Sequence, residues 1–199
     1  MKYLILLFML IFSCNVISQN NTSKAFKASY INETNQDYQN AIDDLLEIYV
    51  SSSYVVNLRL GWLYYKQREY SKSTTHYNNA ISLQKNSIEA RFGIINPMTA
   101  MGNTNDVKVQ YQKILKIDHR NSRANYYLGY LYFINKDWGK AEILLKRVLM
   151  LYPFDYNSNV LLGKTYVKNG KLKEAKEVLN NALYYNPQSK EVMNLIKGL

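Results

Sequence analysis

The chain has 199 residues, 47% of them hydrophobic, and a formal net charge of +10. This apolar share is typical of a chain that buries a core, which argues against wholesale disorder. Only 8 Gly and 3 Pro are present, which are few turn signals for an all-β chain. The charge favours anionic partners, but the sequence has no run of five or more Lys and Arg that would indicate a dedicated nucleic-acid arm.

The first residues have the pattern of an export signal. A short basic start precedes ten consecutive apolar residues from Tyr3 to Phe12. Such a run is too short to cross a bilayer, which needs about 17–25 residues, but it fits the apolar core of a signal peptide. We therefore predict a signal peptide over residues 1–18 and an exported protein, located in the periplasm or outside the cell, whose mature chain begins at Gln19.

Cys14 is the only cysteine, which excludes an intramolecular disulfide. The small Ser13 directly before it resembles the lipobox of bacterial lipoproteins, although Phe12 is bulkier than the usual occupant of its position. Two alternatives therefore stay open. Cys14 is removed with the signal peptide, or it is lipidated and anchors an outer-membrane lipoprotein.

Most of the remaining chain repeats with a period of 34 residues. Leu-Gly pairs begin at Leu60, Leu128 and Leu162, a Tyr follows each glycine by three residues, and Pro153 and Pro187 close two of the units. Within each predicted helix the shared positions recur at the spacing of one helical face. Glycine between large residues allows two helix backbones to approach closely. The pattern therefore predicts pairs of helices that pack through a Leu-Gly-Tyr seam.

This pattern resembles the tetratricopeptide repeat, whose unit reads W-x2-L-G-x2-Y, then A-x3-F, then P. The resemblance implies an all-α protein, a right-handed α-solenoid of about four to five antiparallel helix pairs with a C-terminal capping helix. The expected segments are a degenerate N-terminal helix pair (19–53), repeats over 54–187 (54–87, 88–121, 122–155 and 156–187) and a capping helix (188–199).

The sequence contains no recognisable catalytic or metal-binding pattern. His76 and His119 have no second His or Cys at ligand spacing, and we expect His76 to be exposed and His119 to lie in a turn. We therefore predict a protein that is not an enzyme and has no cofactor or metal site. Pro97 falls inside the first helix of unit 88–121, and we expect it to kink that helix or delay its start.

The resemblance also implies a concave surface formed by the first helices of successive pairs. Stepping along each first helix away from the Leu-Gly-Tyr seam gives the candidate partner-binding residues, which are Phe26, Tyr30, Trp62, Tyr65, Lys66, Phe92, Asn96, Tyr126, Tyr130, Phe133, Lys164 and Lys168. Aromatic residues in one strip are typical of a peptide-binding groove, and the lysines favour an acidic ligand. The alternative is that these aromatic residues only fill the seams between helices.

Two functions remain open at this point. The first is a non-enzymatic protein–protein interaction scaffold in the bacterial cell envelope. It binds a protein or peptide segment in an aromatic and basic groove, and an acidic segment is one alternative for this partner. The second is a basic module that binds an anionic polymer or a membrane surface. Neither requires a specific nucleic acid, and attachment to a membrane is expected only if Cys14 is lipidated.

Overall fold

The computed structural model describes residues 21–199, so that the predicted signal peptide and Cys14 lie outside the described residues. Within these residues the chain forms eleven helices and no strand, which confirms the all-α prediction. Helix α1 covers 21–34, and the others are α2 (Tyr38–Leu46), α3 (Tyr54–Lys66), α4 (Tyr70–Leu83), α5 (Ile88–Ala100), α6 (Thr104–Ile117), α7 (Ser122–Ile134), α8 (Trp138–Leu151), α9 (Tyr156–Lys168), α10 (Leu172–Tyr185) and α11 (Lys190–Lys197). The first compact unit ends at Asn103, and the second runs from Thr104 to Leu199.

The odd-numbered helices from α3 onward begin at a constant interval of thirty-four residues. Each begins after a polar residue whose side-chain oxygen accepts a hydrogen bond from the backbone N–H three residues further on. These cap residues are Ser53, Ser87, Asn121, Asp155 and Ser189. Such a cap stabilises a helix start by about 1 kcal/mol. Helix α11 therefore begins in the same way as the first helix of a repeat.

A tight turn joins the two helices of a pair, and one residue in it adopts a left-handed backbone conformation. This residue is Arg68 between α3 and α4 (φ 67°), Lys136 between α7 and α8 (φ 62°) and Gly170 between α9 and α10 (φ 72°). Glycine adopts this conformation without steric penalty, whereas other L-residues are disfavoured in it. The turn geometry is thus kept even where the favourable residue is absent.

A buried asparagine in the first turns of α3, α7 and α9 holds the preceding loop. The side-chain amide of Asn57 donates hydrogen bonds to the carbonyls of Ser51 and Ser53. The amides of Asn125 and Asn159 each donate to the two equivalent carbonyls of their own loops. Each asparagine side chain thus ties two carbonyls of the preceding loop to the first turn of the helix, which fixes the loop between consecutive pairs.

The seam glycines lie where two helices approach closely, as the sequence predicts. A Cβ atom added to Gly163 would lie 2.6 Å from the Cγ atom of Leu179, and one added to Gly129 would lie 3.2 Å from the Cγ atom of Leu145. Both leucines are fully buried in the facing second helix. The seam therefore has no room for a larger side chain without repacking.

Two sequence expectations are corrected. Helix α5 does not start late, because it begins at Ile88 and continues through Pro97 to Ala100. Pro97 removes the hydrogen bond to the Gly93 carbonyl, but it lies in the last turn of α5, so only three helical residues follow it. His76 is half-buried rather than exposed, since its ring stacks on Tyr64 with a centroid distance of 5.3 Å.

Candidate binding surfaces

In the first unit, four of the candidate residues lie together on α1 and α3. The rings of Trp62 and Tyr65 are 5.8 Å apart between centroids, and the Lys66 ammonium lies 5.4 Å from the Trp62 ring. Tyr30 of α1 is 54% exposed, and the guanidinium of Arg59 lies 3.9 Å from the centroid of its ring. Aromatic rings with adjacent cations form a surface that is both apolar and positively charged.

Glu33 connects the two helices of this aromatic cluster. Its carboxylate accepts a 2.5 Å hydrogen bond from Trp62 Nε1 and forms an ion pair with Arg59. Burial alone would raise the pKa of Glu33, but the hydrogen bonds from Trp62 and Arg59 outweigh it and lower the pKa. The carboxylate is therefore charged at neutral pH and fixes the orientation of both side chains.

The other candidates of the first unit are less accessible. Phe26 packs against the hydrophobic cluster formed by α2 and α3, and Trp62 also contacts this cluster with part of its ring. Phe92 and Asn96 lie on α5, where both are half-buried. Part of the predicted strip thus fills a helix seam in addition to facing solvent.

In the second unit the candidates divide in the same way. Tyr126 and Phe133 pack against a cluster that includes Leu145 and Leu161, and burial raises the pKa of Tyr126. Tyr130, on the same helix, is 44% exposed. We therefore assign seam packing to the first two residues and solvent contact to Tyr130.

The two lysines of α9 differ in their surroundings. Lys164 forms a 2.6 Å ion pair with Glu191 of α11, and Lys168 is exposed in the last turn of α9. The charge of Lys164 is thus already compensated within the unit. Lys168 is the more available of the two for an anionic ligand.

Arg59 and Glu33 belong to this cluster but are not among the residues predicted from the sequence. Arg59 lies three residues before Trp62 and seven before Lys66, which is the spacing of one helical face, so stepping in both directions along α3 would have included it. Glu33 lies on α1, and its contact with Trp62 spans 29 residues of sequence. No local pattern indicates a contact of that separation.

No metal site or membrane span was found in the described part of the chain. Residues 21–199 contain no group of three or more His, Cys, Asp or Glu side chains that could hold a metal ion. None of the helices in that range is long and apolar enough to cross a bilayer.

The tetratricopeptide repeat family matches residues 132–197 of this chain. Solved structures of repeat proteins extend the likeness to most of the remaining residues. A crystal structure of the MamA protein has 17% sequence identity, covers 85% of this chain and 94% of its own, and superposes with a TM-score of 0.72. Residues 132–197 are thus a tetratricopeptide repeat (TPR) segment, and the rest of the chain shares its fold with solved proteins of this type.

Two further solved TPR proteins have a similar fold. A TPR protein from Parabacteroides merdae has 16% identity, covers 90% of this chain and 72% of its own, and has a TM-score of 0.76. YrrB, described as a TPR protein with an unusual peptide-binding site, has 14% identity, covers 88% of this chain and 91% of its own, and has a TM-score of 0.70. At these identities the likeness shows the fold alone. No curated protein matches the chain in sequence.

Proposed function

We propose that this TPR protein is a non-enzymatic scaffold that binds a partner protein through the aromatic and basic face of its first helices. Stacked helix pairs of this class present extended binding surfaces. The observation that carries the proposal is the cluster of Tyr30, Trp62, Tyr65 and Lys66 in the first unit. Rigid aromatic rings beside a cation are the side chains that most often dominate the free energy of protein association.

The cluster is organised before any partner binds. Glu33 holds Arg59 and Trp62, and Arg59 lies against the ring of Tyr30. Side chains that are already ordered lose less conformational entropy on association, which strengthens binding without additional contact area. An acidic segment is the ligand that fits best, because Lys66 is exposed beside these rings.

We place this function in the bacterial cell envelope on the basis of the N-terminal pattern. Intact-mass measurement of the protein from native cells tests this placement. A mature mass that begins at Gln19 supports soluble export, a diacylglycerol on Cys14 supports a lipoprotein, and a mass that includes Met1 contradicts both.

The binding face is tested by Tyr30→Ala and Tyr130→Ala, with Tyr184→Ala as the matched control because Tyr184 is 75% exposed on a second helix. A partner isolated by affinity purification from native cells is titrated against each variant. We expect Tyr30→Ala or Tyr130→Ala to weaken binding at least about tenfold, near 1.4 kcal/mol. Tyr184→Ala should bind normally, and circular dichroism should be unchanged in all three. Normal binding by both first-helix variants would rule out the face.

The net charge of +10 favours a second candidate, a basic module that binds an anionic polymer or membrane surface. Ionic strength separates the two functions, since the Debye length falls from about 10 Å at 0.1 M salt to about 3 Å at 1 M. Binding by aromatic residues should persist in high salt, with only the contributions of Lys66 and Lys168 lost. Binding of a polymer by charge should disappear.

A further inference from the structure

A cleft with a volume of about 510 Å³ opens in the second unit between α6 and α8, with α7 as its floor. Four of its nine lining residues are aliphatic. Leu128 of α7 and Leu144 of α8 are buried, and Leu115 of α6 is half-buried. A concave apolar surface of a few hundred Å³ with a small number of polar groups is the usual form of a binding site. This volume can hold a few side chains.

The cleft is separate from the first-helix face. Successive residues of an α-helix are rotated by about 100°, so Leu128 and Tyr132 lie on the opposite side of α7 from Tyr126 and Tyr130. A ligand in the cleft would therefore not touch the aromatic face. Binding in the cleft is therefore independent of the function proposed for the first-helix face.

The rim of the cleft is basic. Lys116 of α6 and Lys140 and Arg147 of α8 line it, and its lining contains no carboxylate. Lys140 forms a 2.6 Å ion pair with Asp137, which lies outside the lining. Lys116 and Arg147 form no ion pair with any residue in the range 21–199. The cleft thus presents positive charge that the described residues do not neutralise.

Tyr132 adds a hydrogen-bond donor to this basic environment. Its hydroxyl oxygen accepts a 3.2 Å hydrogen bond from Gln112 Nε2, which leaves the hydroxyl hydrogen for a different acceptor. The ammonium groups of Lys108 and Lys140 lie 4.5 Å and 5.3 Å from the centroid of its ring. A carboxylate that reached this hydroxyl would meet a donor and nearby cations together.

We propose that this cleft binds an acidic peptide segment of a partner protein. An aliphatic side chain of the segment packs on Leu115, Leu128 and Leu144. Its carboxylates pair with Lys116 and Arg147 and accept a hydrogen bond from Tyr132. A nucleic acid fits less well, because single-stranded bases bind by stacking on aromatic faces. Tyr132 is the aromatic residue of the lining, and two lysines lie over its ring.

The next repeat suggests substitutions that remove an aliphatic and a basic side chain from the cleft with little risk to the fold. Ile143 and Arg147 correspond, thirty-four residues further on, to Glu177 and Asn181 of α10. Ile143 is 54% exposed and Arg147 is also exposed, so neither supports the core. The double variant Ile143→Glu/Arg147→Asn therefore introduces the residues that α10 already carries at the equivalent positions. Lys173→Asn/Lys176→Gln makes the same change in net charge at exposed positions of α10, away from the cleft.

The experiment is a selection from a displayed library of random short peptides on the wild-type protein, with counter-selection on the cleft variant. We expect enrichment of peptides that combine Asp or Glu with Leu, Ile or Phe. A synthetic enriched peptide, measured by fluorescence anisotropy, should bind the cleft variant at least roughly tenfold more weakly. It should bind the α10 control variant and Tyr130→Ala as it binds wild type. The Tyr130→Ala result separates failure of this proposal from failure of the first-helix face.

Three outcomes would overturn the proposal. The first is that no peptide distinguishes wild type from the cleft variant, or that the enriched peptides lack carboxylates. The second is unchanged affinity after Leu or Ile in the peptide is replaced by Ser, which would show that charge alone acts and that the aliphatic floor is not used. The third is binding of phosphatidylglycerol vesicles that the cleft variant loses and the peptide does not compete for, which would assign the cleft to a membrane surface.

Discussion

The second unit presents the same kind of surface twice, once between α6 and α8 and once between α8 and α10. The floors match, since Leu128 and Tyr132 of α7 correspond to Leu162 and Tyr166 of α9. All four side chains are buried or nearly so. Residues that pack one helix of a pair against the other are thus kept between repeats.

The walls of the two surfaces differ. Between α8 and α10, the Glu142 carboxylate of α8 forms ion pairs with Lys146, at 2.9 Å, and with Lys171 at the start of α10, at 2.8 Å. Burial would raise the pKa of Glu142, but hydrogen bonds from Lys171 and Lys146 lower it and keep the carboxylate charged. The residue in the place of Glu142 one repeat earlier is Lys108. The residues in the places of Lys146 and Lys171 are Gln112 and Asp137. Three exchanges thus distinguish a surface crossed by ion pairs from an open basic cleft.

The largest effect we expect concerns the seams below these two surfaces. Gly163→Leu should destabilise the protein more than Gly129→Leu, because an added Cβ meets Leu179 at 2.6 Å in one case and Leu145 at 3.2 Å in the other. Overpacking of this kind costs about 1–3 kcal/mol, and we expect Gly163→Leu at the upper end. Urea unfolding monitored by circular dichroism measures both values.

Gly139 provides the control for these seam variants. It lies in α8, and a Cβ atom built on it meets no atom within 4 Å. Gly139→Ala should therefore stabilise the protein by up to about 1 kcal/mol through helix propensity alone. If Gly129→Leu were as stable as Gly139→Ala, the seam at α7 and α8 would be looser than the structure indicates.

A smaller effect is expected at the turns of the same two helix pairs. Lys136 and Gly170 occupy equivalent left-handed positions, with φ of 62° and 72°. Lys136→Gly should stabilise the protein by about 1 kcal/mol, because it removes the steric penalty of a side chain at positive φ. Gly170→Ala should destabilise it by a similar amount. Lys136→Asn controls for the lost charge, because Asn tolerates this conformation better than Lys. Equal melting temperatures for wild type and Lys136→Gly would show that the turn relaxes.

The packed parts of the fold are largely readable from the sequence. The Leu-Gly-Tyr spacing predicts helix pairs with a close seam, and Gly163 against Leu179 shows that seam. This works because each seam residue is constrained by its own helix and by its neighbour in the pair, both of which lie within one repeat. The spacing of a repeat therefore contains the information that fixes its packing.

The surfaces are not readable in the same way. Stepping along α3 predicts Trp62 and Lys66 as neighbours but not their link to Glu33. The cleft depends on Lys116 and Arg147, which belong to different repeats and have no shared spacing signal. Comparing outward positions of successive second helices, such as Ile143 with Glu177, would have pointed to it. Outward positions carry little folding constraint, so their roles appear only once the neighbouring helices are placed.

We expect the smallest effect at His76 in the first unit. His76 stands two repeats before Leu144 and occupies the equivalent position of its own repeat. There the imidazole stacks on Tyr64, contacts Tyr49 edge-on at 5.6 Å and lies 3.0 Å from the side-chain oxygen of Asn57. Tyr64 likewise stands two repeats before Tyr132, and both Leu144 and Tyr132 belong to the cleft lining. Burial lowers the pKa of His76, so the folded state favours the neutral ring.

The sign of the resulting pH dependence follows from this shift. The unfolded chain protonates His76 near its ordinary pKa of about 6.5, whereas the folded protein protonates it only at lower pH. The contribution of His76 to stability is therefore complete above about pH 6.5 and is lost as the pH falls toward the lowered folded-state pKa. Melting temperatures measured between about pH 7.5 and about pH 5 should fall more for wild type than for His76→Leu, which copies Leu144. His119→Gln, at an exposed turn position, should follow the wild-type profile. Parallel profiles for wild type and His76→Leu would mean that the ring accepts a proton without leaving its stack on Tyr64.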